Sequence, residues 1–293
     1  MKVEDRPFHF EFGNVQGERE PCPLCGGRAA SPVGTDNGYT IERCADPGCG
    51  FVFVNPRPDA ATLEDAYRDF LLDDAEAPAL WERALHDLIE ECATWLCEGR
   101  APGRVLDVGC AYGDLLVEME RRGWQSVGVD PASKAVALAR ERTRGEIHEG
   151  FFEDVALDEG GFDAVVALYV LEHVRDPRGF LEKIRRVLRD DGIAIVRVPW
   201  SRPFFPISRL LGRPLLYAPI HLNDFSPTSL RRLARDVGFA RVEVTVGRPR
   251  RSDDPLERTA ASLLSAVGRG LERLSGGRMI FPLCGALSYR LYV

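Results

Sequence analysis

The run RVLDVGCAYGDLLVEMERRGWQSVGVD, Arg104 to Asp130, constrains this chain more than any other stretch. It predicts an apolar strand ending in Asp107, a tight turn of small residues, and a helix that opens at Gly113 and runs to Arg122. A second strand, Ser126 to Val129, closes on another acid, Asp130. A helix N-terminus facing such a turn offers unpaired backbone N–H groups to a ligand. An acid ending the second strand of a doubly wound sheet is placed to accept hydrogen bonds from ribose hydroxyls. Together they specify a nucleoside-containing ligand. The plainer alternative is a strand–helix turn that binds nothing, and the position of Asp130 argues against it.

From Arg104 onward strands and helices alternate. Strands are expected near Ile147, over Phe162–Leu168 and over Ile193–Val198. A helix should begin near Asp176-Pro177 and end at Arg189, where Asp190-Asp191-Gly192 turns the chain. After the irregular stretch 200–225, a helix follows Ser226-Pro227 and stops at Gly238. A strand over Arg241–Val246, a helical excursion over 255–275 and a last strand, Ala286–Val293, complete the chain. This alternation demands an α/β fold, a mostly parallel doubly wound sheet with helices on both faces.

A dinucleotide site would carry G-x-G-x-x-G in the first turn. Here the turn is Asp107-Val-Gly109-Cys-Ala111-Tyr-Gly113, a D-x-G-x-A-x-G pattern. It resembles the first motif of class I S-adenosylmethionine-dependent methyltransferases, whose usual middle residue is glycine. Gly161-Phe162-Asp163, Leu171-Glu172-His173-Val174 with Asp176-Pro177, and Leu188 to Gly192 resemble later segments of that family in the same order. The resemblance covers residues 104 to about 246 and implies a seven-stranded Rossmann-like sheet whose last strand runs antiparallel. It implies S-adenosyl-L-methionine as cofactor, with Gly109, Ala111 and Gly113 beneath the methionine portion and Asp107 holding its ammonium. It places Asp130 on the ribose diol and Phe152 and Glu153 at the adenine edge, with Phe151 where many relatives have Asp. Tyr169 either flanks the cofactor or is a half-buried aromatic at a strand end. A methyl group at Ala111 is tolerated if the local φ is negative.

Cys22-x-x-Cys25 and Cys44-x4-Cys49 bracket 18 residues, a spacing that suits a four-cysteine zinc ribbon. Four coordinating thiolates leave no open position, so the Zn2+ should be structural, and a region so poor in core residues would need it to fold. The phrase RCADPGCGFVFVNPRPDAATLEDAY resembles the N-terminal region of a bacterial subgroup of these methyltransferases whose members act on sugars, glycan precursors or secondary metabolites. Cys92 and Cys97 read as helix-core residues and Cys110 as a small turn residue, with Cys284 far from the cluster. The expected organisation is a ribbon region over 1–58, a helical link over 59–103, and a methyltransferase domain over 104–293 with a lid near 200–225. Thr62 can cap the first linking helix.

A hydroxyl acceptor would want a base, most often His. His173 follows the fourth strand, and its alternative role is a structural hydrogen bond near Glu172. His221 lies beyond the fifth strand, where this family builds its acceptor wall, and is either a base or a scaffold residue. His9, His86 and His148 have no motif around them. Phe204, Phe205, Ile207, Leu210, Leu211, Leu215, Leu216 and Tyr217 are too many apolar groups to leave exposed; they cover the site, meet an apolar acceptor or form a homodimer contact.

No segment reads as a signal peptide or a membrane span, which sets the cytoplasm as the expected location. The net charge of −7 argues against a large nucleic-acid footprint. The partner that the resemblance implies is a small-molecule or glycan acceptor. An RNA methyltransferase that grips nucleic acid through the ribbon, and a non-catalytic protein that keeps the cofactor fold, are the competing readings.

Overall fold

The computed structural model describes residues 19–59, 63, 77–249, 251, 254–276, 279–283 and 285–293. The first linking helix apart from Leu63, its Thr62 cap, His9 and Cys284 lie outside the described residues. The N-terminal region contributes β1 (Ala30–Asp36), β2 (Tyr39–Cys44) and β3 (Val52–Val54), followed by α1 (Ala77–Cys97). Next come β4 (Arg104–Val108), α2 (Asp114–Arg121), β5 (Gln125–Asp130), α3 (Ser133–Arg142) and β6 (Glu146–Glu149). Then follow β7 (Phe162–Leu168), α4 (Pro177–Val187), β8 (Leu188–Pro199) and the short α5 (Phe205–Leu210). The chain ends with β9 (Asn223–Asp224), α6 (Pro227–Asp236), β10 (Arg241–Thr245), α7 (Pro255–Leu274) and β11 (Ala286–Tyr292).

Seven strands form the main sheet in the order β10-β11-β8-β7-β4-β5-β6. The five strands from β8 to β6 are parallel, and β11 runs antiparallel to both β8 and β10, as expected. Its strands are buried on both faces because helices cover both. On one face α4 turns Phe180, Leu181, Ile184 and Val187 into a cluster with Leu106, Val165 and Val196. On the other, α1 lays Leu88, Cys92 and Leu96 against Val105, Val166 and Ile195. The start of α4 follows from its sequence: Asp176 accepts from the Arg178 and Gly179 N–H groups, and Pro177 occupies a position whose N–H would be unpaired.

Residues 190–192, expected as a turn before the fifth strand, lie within β8. The pairing explains this: Phe162 faces Leu188 but Ala164 faces Ile193, so residues 189–192, the first three of them exposed, loop out of an otherwise continuous strand.

The second sheet has the order β1-β2-β3-β9, all antiparallel. Its fourth strand comes from the irregular segment after β8, with Val52 opposite Asp224 and Phe53 opposite Asn223. Phe205, Leu215, Leu216, Ala218 and Leu222 pack with Tyr39, Ile41, Val52 and Val54. The Asp36 carboxylate accepts the N–H groups of Leu215, Leu216 and Tyr217 at 2.6–3.0 Å. Contact is close enough that a Cβ at Gly34 would lie 2.4 Å from Leu215 Cδ1. The apolar residues of 200–220 thus divide: Phe205, Leu215, Leu216 and Ala218 are buried on the N-terminal sheet, while Ile207, Leu210, Leu211 and Tyr217 remain exposed. Among the described residues no helix is long and apolar enough to cross a membrane.

Candidate functional site

The carboxyl ends of β4, β5, β6 and β7 open into a cavity of about 540 Å³. This is where an open α/β sheet leaves a crevice between diverging crossovers. Gly109, Ala111, Asp130, Phe152, Glu153, Tyr169, His173 and His221 all line it. Asp107 and Gly113 do not: the first is buried at the end of β4, and the second caps α2.

On the β5–β6 side the wall is made by a short stretch of chain. The Gly109 and Cys110 N–H groups both donate to the Val129 carbonyl, tying the first turn to β5. Gly109 has φ +74°, and a Cβ there would lie 2.5 Å from Val170 Cγ2. Only glycine fits that approach. Asp130 accepts from Ala111 N–H on Oδ2 and from Ala132 N–H on Oδ1, each at 2.8 Å. A carboxylate has about four acceptor positions, so lone pairs remain for a ligand. Burial raises the Asp130 carboxyl above its ordinary range, and those two N–H groups oppose the rise. Asp107 is raised well above the ordinary range, first by burial and then by Asp130 and Asp114. Lys183 Nζ donates to the carbonyls of Phe152, Glu153 and Val155, which fixes the loop after β6.

Ala111 does not meet the condition of a negative φ: its φ is +45°, in the left-handed region. Its N–H must turn inward to reach Asp130, and that bond holds a conformation costing about 1–2 kcal/mol for a residue with a Cβ.

On the β7–β8 side the wall comes from scattered residues. Tyr169, at φ +59°, donates its N–H to the Arg197 carbonyl, while its hydroxyl accepts from Arg197 Nε at 2.9 Å. Glu172 is wholly buried, and neither carboxyl oxygen has a hydrogen-bond partner among the described residues. Burial pushes its carboxyl up to about 8. His173 Nδ1 lies 3.0 Å from the Ile220 carbonyl, and burial pulls the imidazole down to about 4. The His221 ring packs edge-on to His173 at 4.8 Å, and burial, then that neighbour, holds it well below the ordinary range. Both imidazoles are uncharged at neutral pH. Their position depends on the second sheet: Leu222 and Asn223 N–H groups donate to the Glu172 carbonyl, and Arg57 binds both the Val174 carbonyl and Asn223.

The four cysteines converge elsewhere, at the base of the N-terminal sheet. Cys22 and Cys49 sulfurs are 3.7 Å apart, Cys25 and Cys44 sulfurs 3.6 Å, and all four lie within 4.8 Å of one another. Thiolates about 2.3 Å from a tetrahedral zinc stand roughly 3.8 Å apart, so the donor set fits that ion.

Residues 74–244 match the family model for a methyltransferase domain. The chain belongs to this methyltransferase family. A Mycolicibacterium smegmatis protein named "Probable S-adenosylmethionine-dependent methyltransferase/" is 31% identical over 55% of this chain and 60% of its own length. The ubiquinone biosynthesis O-methyltransferase of Alkalilimnicola ehrlichii is 30% identical over 56% of this chain and 74% of its own. Among solved structures, Haemonchus contortus phosphoethanolamine N-methyltransferase 2 in complex with S-adenosyl-L-methionine shares the fold, with TM-score 0.52. Its identity is 15%, over 77% of this chain and 59% of that one. The methyltransferase domain is thus of the class I, S-adenosylmethionine-dependent type, with a Rossmann-like sheet.

Three features of this methyltransferase site escape sequence reasoning. Glu172 is legible only as part of a motif, not as an unpartnered buried carboxyl. Trp81 and Leu85 reach the cavity from α1. Arg197, 1% exposed, braces Tyr169, Ser288 and the Arg248 carbonyl. A lone charge in the apolar run Ile193–Val198 is the signal that could have found it.

Proposed function

We propose that this chain transfers a methyl group from S-adenosyl-L-methionine to a small-molecule acceptor, a sugar or glycan precursor carrying a reactive hydroxyl. The observation that carries the reading is the Asp130 carboxylate on the cavity wall beside the Gly109 turn, with acceptor capacity to spare. Asp130 would take the ribose diol, Gly109 and Ala111 would shape the floor under the methionine portion, and Gly113 would support that floor from the start of α2. Asp107, behind that floor, would favour the ammonium. Phe152 and Glu153 would border the adenine, and Tyr169 would flank the cofactor toward the acceptor. Bound there, the sulfonium supplies an electrophilic methyl group. The protein must then align a nucleophile, exclude water and take up a proton. His221 or His173 on the β7–β8 side would be the imidazole that receives the acceptor's proton, and the burial that lowers both makes each a weak base until the acceptor is bound.

The four cysteines are read as a structural zinc site that fixes the N-terminal sheet, and with it the segment carrying His221. Relatives named as ubiquinone biosynthesis O-methyltransferases support oxygen as the methylated atom.

The test is calorimetry with S-adenosylhomocysteine, paired with labelled methyl transfer to metabolite fractions. Asp130→Ala should weaken binding about tenfold to 100-fold, the loss of hydrogen bonds to a charged group. A dissociation constant within twofold of the wild type would remove Asp130 from the cofactor site.

A further inference from the structure

A second cavity, of about 350 Å³, lies between α1 and α7 and shares no lining residue with the first. From α1 it receives Asp87 and Glu91, whereas Trp81 and Leu85 of the same helix face the other cavity. Arg258, Ser262, Arg269 and Arg273 line it from α7, at intervals that put them on one side of that helix. Arg248 and Arg251, from the segment between β10 and α7, complete a lining of five guanidinium groups and two carboxylates. Both carboxylates are already engaged. Asp87 takes a two-pronged contact from Arg251 at 2.6 and 2.7 Å, and Arg248 stands 3.9 Å from it. Glu91 accepts the Arg248 N–H at 2.8 Å, and Arg197 and Arg269 add positive charge beside it. Arg258, Arg269 and Arg273 make no ion pair among the described residues. Arg269 Nη1 is shut off from solvent without a hydrogen-bond partner. A buried guanidinium N–H left unpaired costs more than a neutral one, so it calls for an acceptor.

We propose that this cavity binds a diphosphate group, free or as the ester of a small molecule. The balance of charge points there. With Asp87 and Glu91 engaged, three guanidinium groups remain, and one carboxylate would compensate only one of them. A diphosphate carries several charges and enough oxygens to meet forked donors from more than one side. Guanidinium forks grip phosphate oxygens pairwise, where an ammonium acts only as a point charge. The concave shape and modest volume suit a small ligand. The two acids on the α1 wall would repel a continuous phosphate backbone, so a nucleic acid laid over this surface is the poorer occupant. The binding stands apart from the methyl-transfer reading, because the two cavities have no wall residue in common.

The test is calorimetry of the full chain with inorganic pyrophosphate at low ionic strength, where exposed charges are least screened. The wild type should bind one equivalent with a dissociation constant below roughly 1 mM. Arg258→Gln and Arg273→Gln, at exposed positions of α7, should each weaken binding about tenfold. Arg269→Lys keeps the charge but removes the fork, and should also weaken it about tenfold. Wild-type protein that does not bind pyrophosphate, or folded variants that bind it as tightly as wild type, would overturn the site. Undiminished binding by Arg269→Lys would leave only a diffuse positive field, which overturns it equally. Should that variant fail to fold, as melting curves report, the two exposed positions decide. Uridine diphosphate separates the sources: affinity at or above that of pyrophosphate assigns the site to an ester, and lower affinity to the free anion. S-adenosylhomocysteine binding should be unchanged in all three variants. Its failure in the wild type would sink the cofactor reading and leave this site standing.

Discussion

The cavity's two sides are made in contrasting ways. The Gly109–Asp130 side is assembled within 22 residues of sequence, and its hydrogen bonds run between the first turn and the adjacent strand. The Glu172–His221 side gathers residues from the loop after β7 and the segment before β9, and both lean on an N-terminal sheet far away in sequence. A locally closed site tolerates change elsewhere. A site held by remote packing inherits every weakness of its supports. The two sides should therefore fail separately.

The harshest way to separate them is to replace Cys22 and Cys44 by Ser. If zinc is bound there, the N-terminal sheet loses most of a contribution of roughly 10–16 kcal/mol. Metal analysis should show zinc gone, and methyl transfer should vanish while S-adenosylhomocysteine still binds. Equal zinc in the variant and wild type would refute the ribbon.

Asp36→Ala is a milder version of the same experiment. It strands the N–H groups of Leu215, Leu216 and Tyr217, the first two of them buried. A loss of about 2–3 kcal/mol in stability should follow in denaturant unfolding. Transfer to the acceptor should fall about tenfold with cofactor affinity unchanged. Equal losses on both sides of the cavity would abolish the contrast drawn here.

Ala111→Gly probes the local side and should do least. It relieves a φ of +45° but frees the unfolded chain, so stability should rise by no more than about 1 kcal/mol. A clear destabilisation would mean that the Ala111 methyl group contributes packing that outweighs its backbone strain.

How much was readable in advance follows the same division. The strand–turn–helix–strand from Arg104 to Asp130 is visible because local periodicity and turn chemistry both report on it. So is the antiparallel last strand, through family resemblance. The loop inside β8 was read as a plain turn because residues 190–192 have turn composition, and only the pairing of Phe162 and Ala164 shows the strand continuing past it. The two-residue β9 carries no periodic signal at all. The division of residues 200–220 into buried and exposed halves was equally hidden, since it is set by which of them meet Ile41 and Val54. The condition under which a methyl group is tolerated at Ala111, a negative φ, is legible in the sequence, but that the hydrogen bond to Asp130 draws the residue to positive φ is not.

The pairing of β3 with β9 also bears on how the molecule comes into being. Val52 and Phe53 are synthesised about 170 residues before Asn223 and Asp224. Until then β3 is an open edge, and Phe51 lacks the cover that Phe225 later gives it. A nascent chain must therefore carry its unfinished N-terminal sheet, with an exposed edge prone to joining other chains, through most of its synthesis.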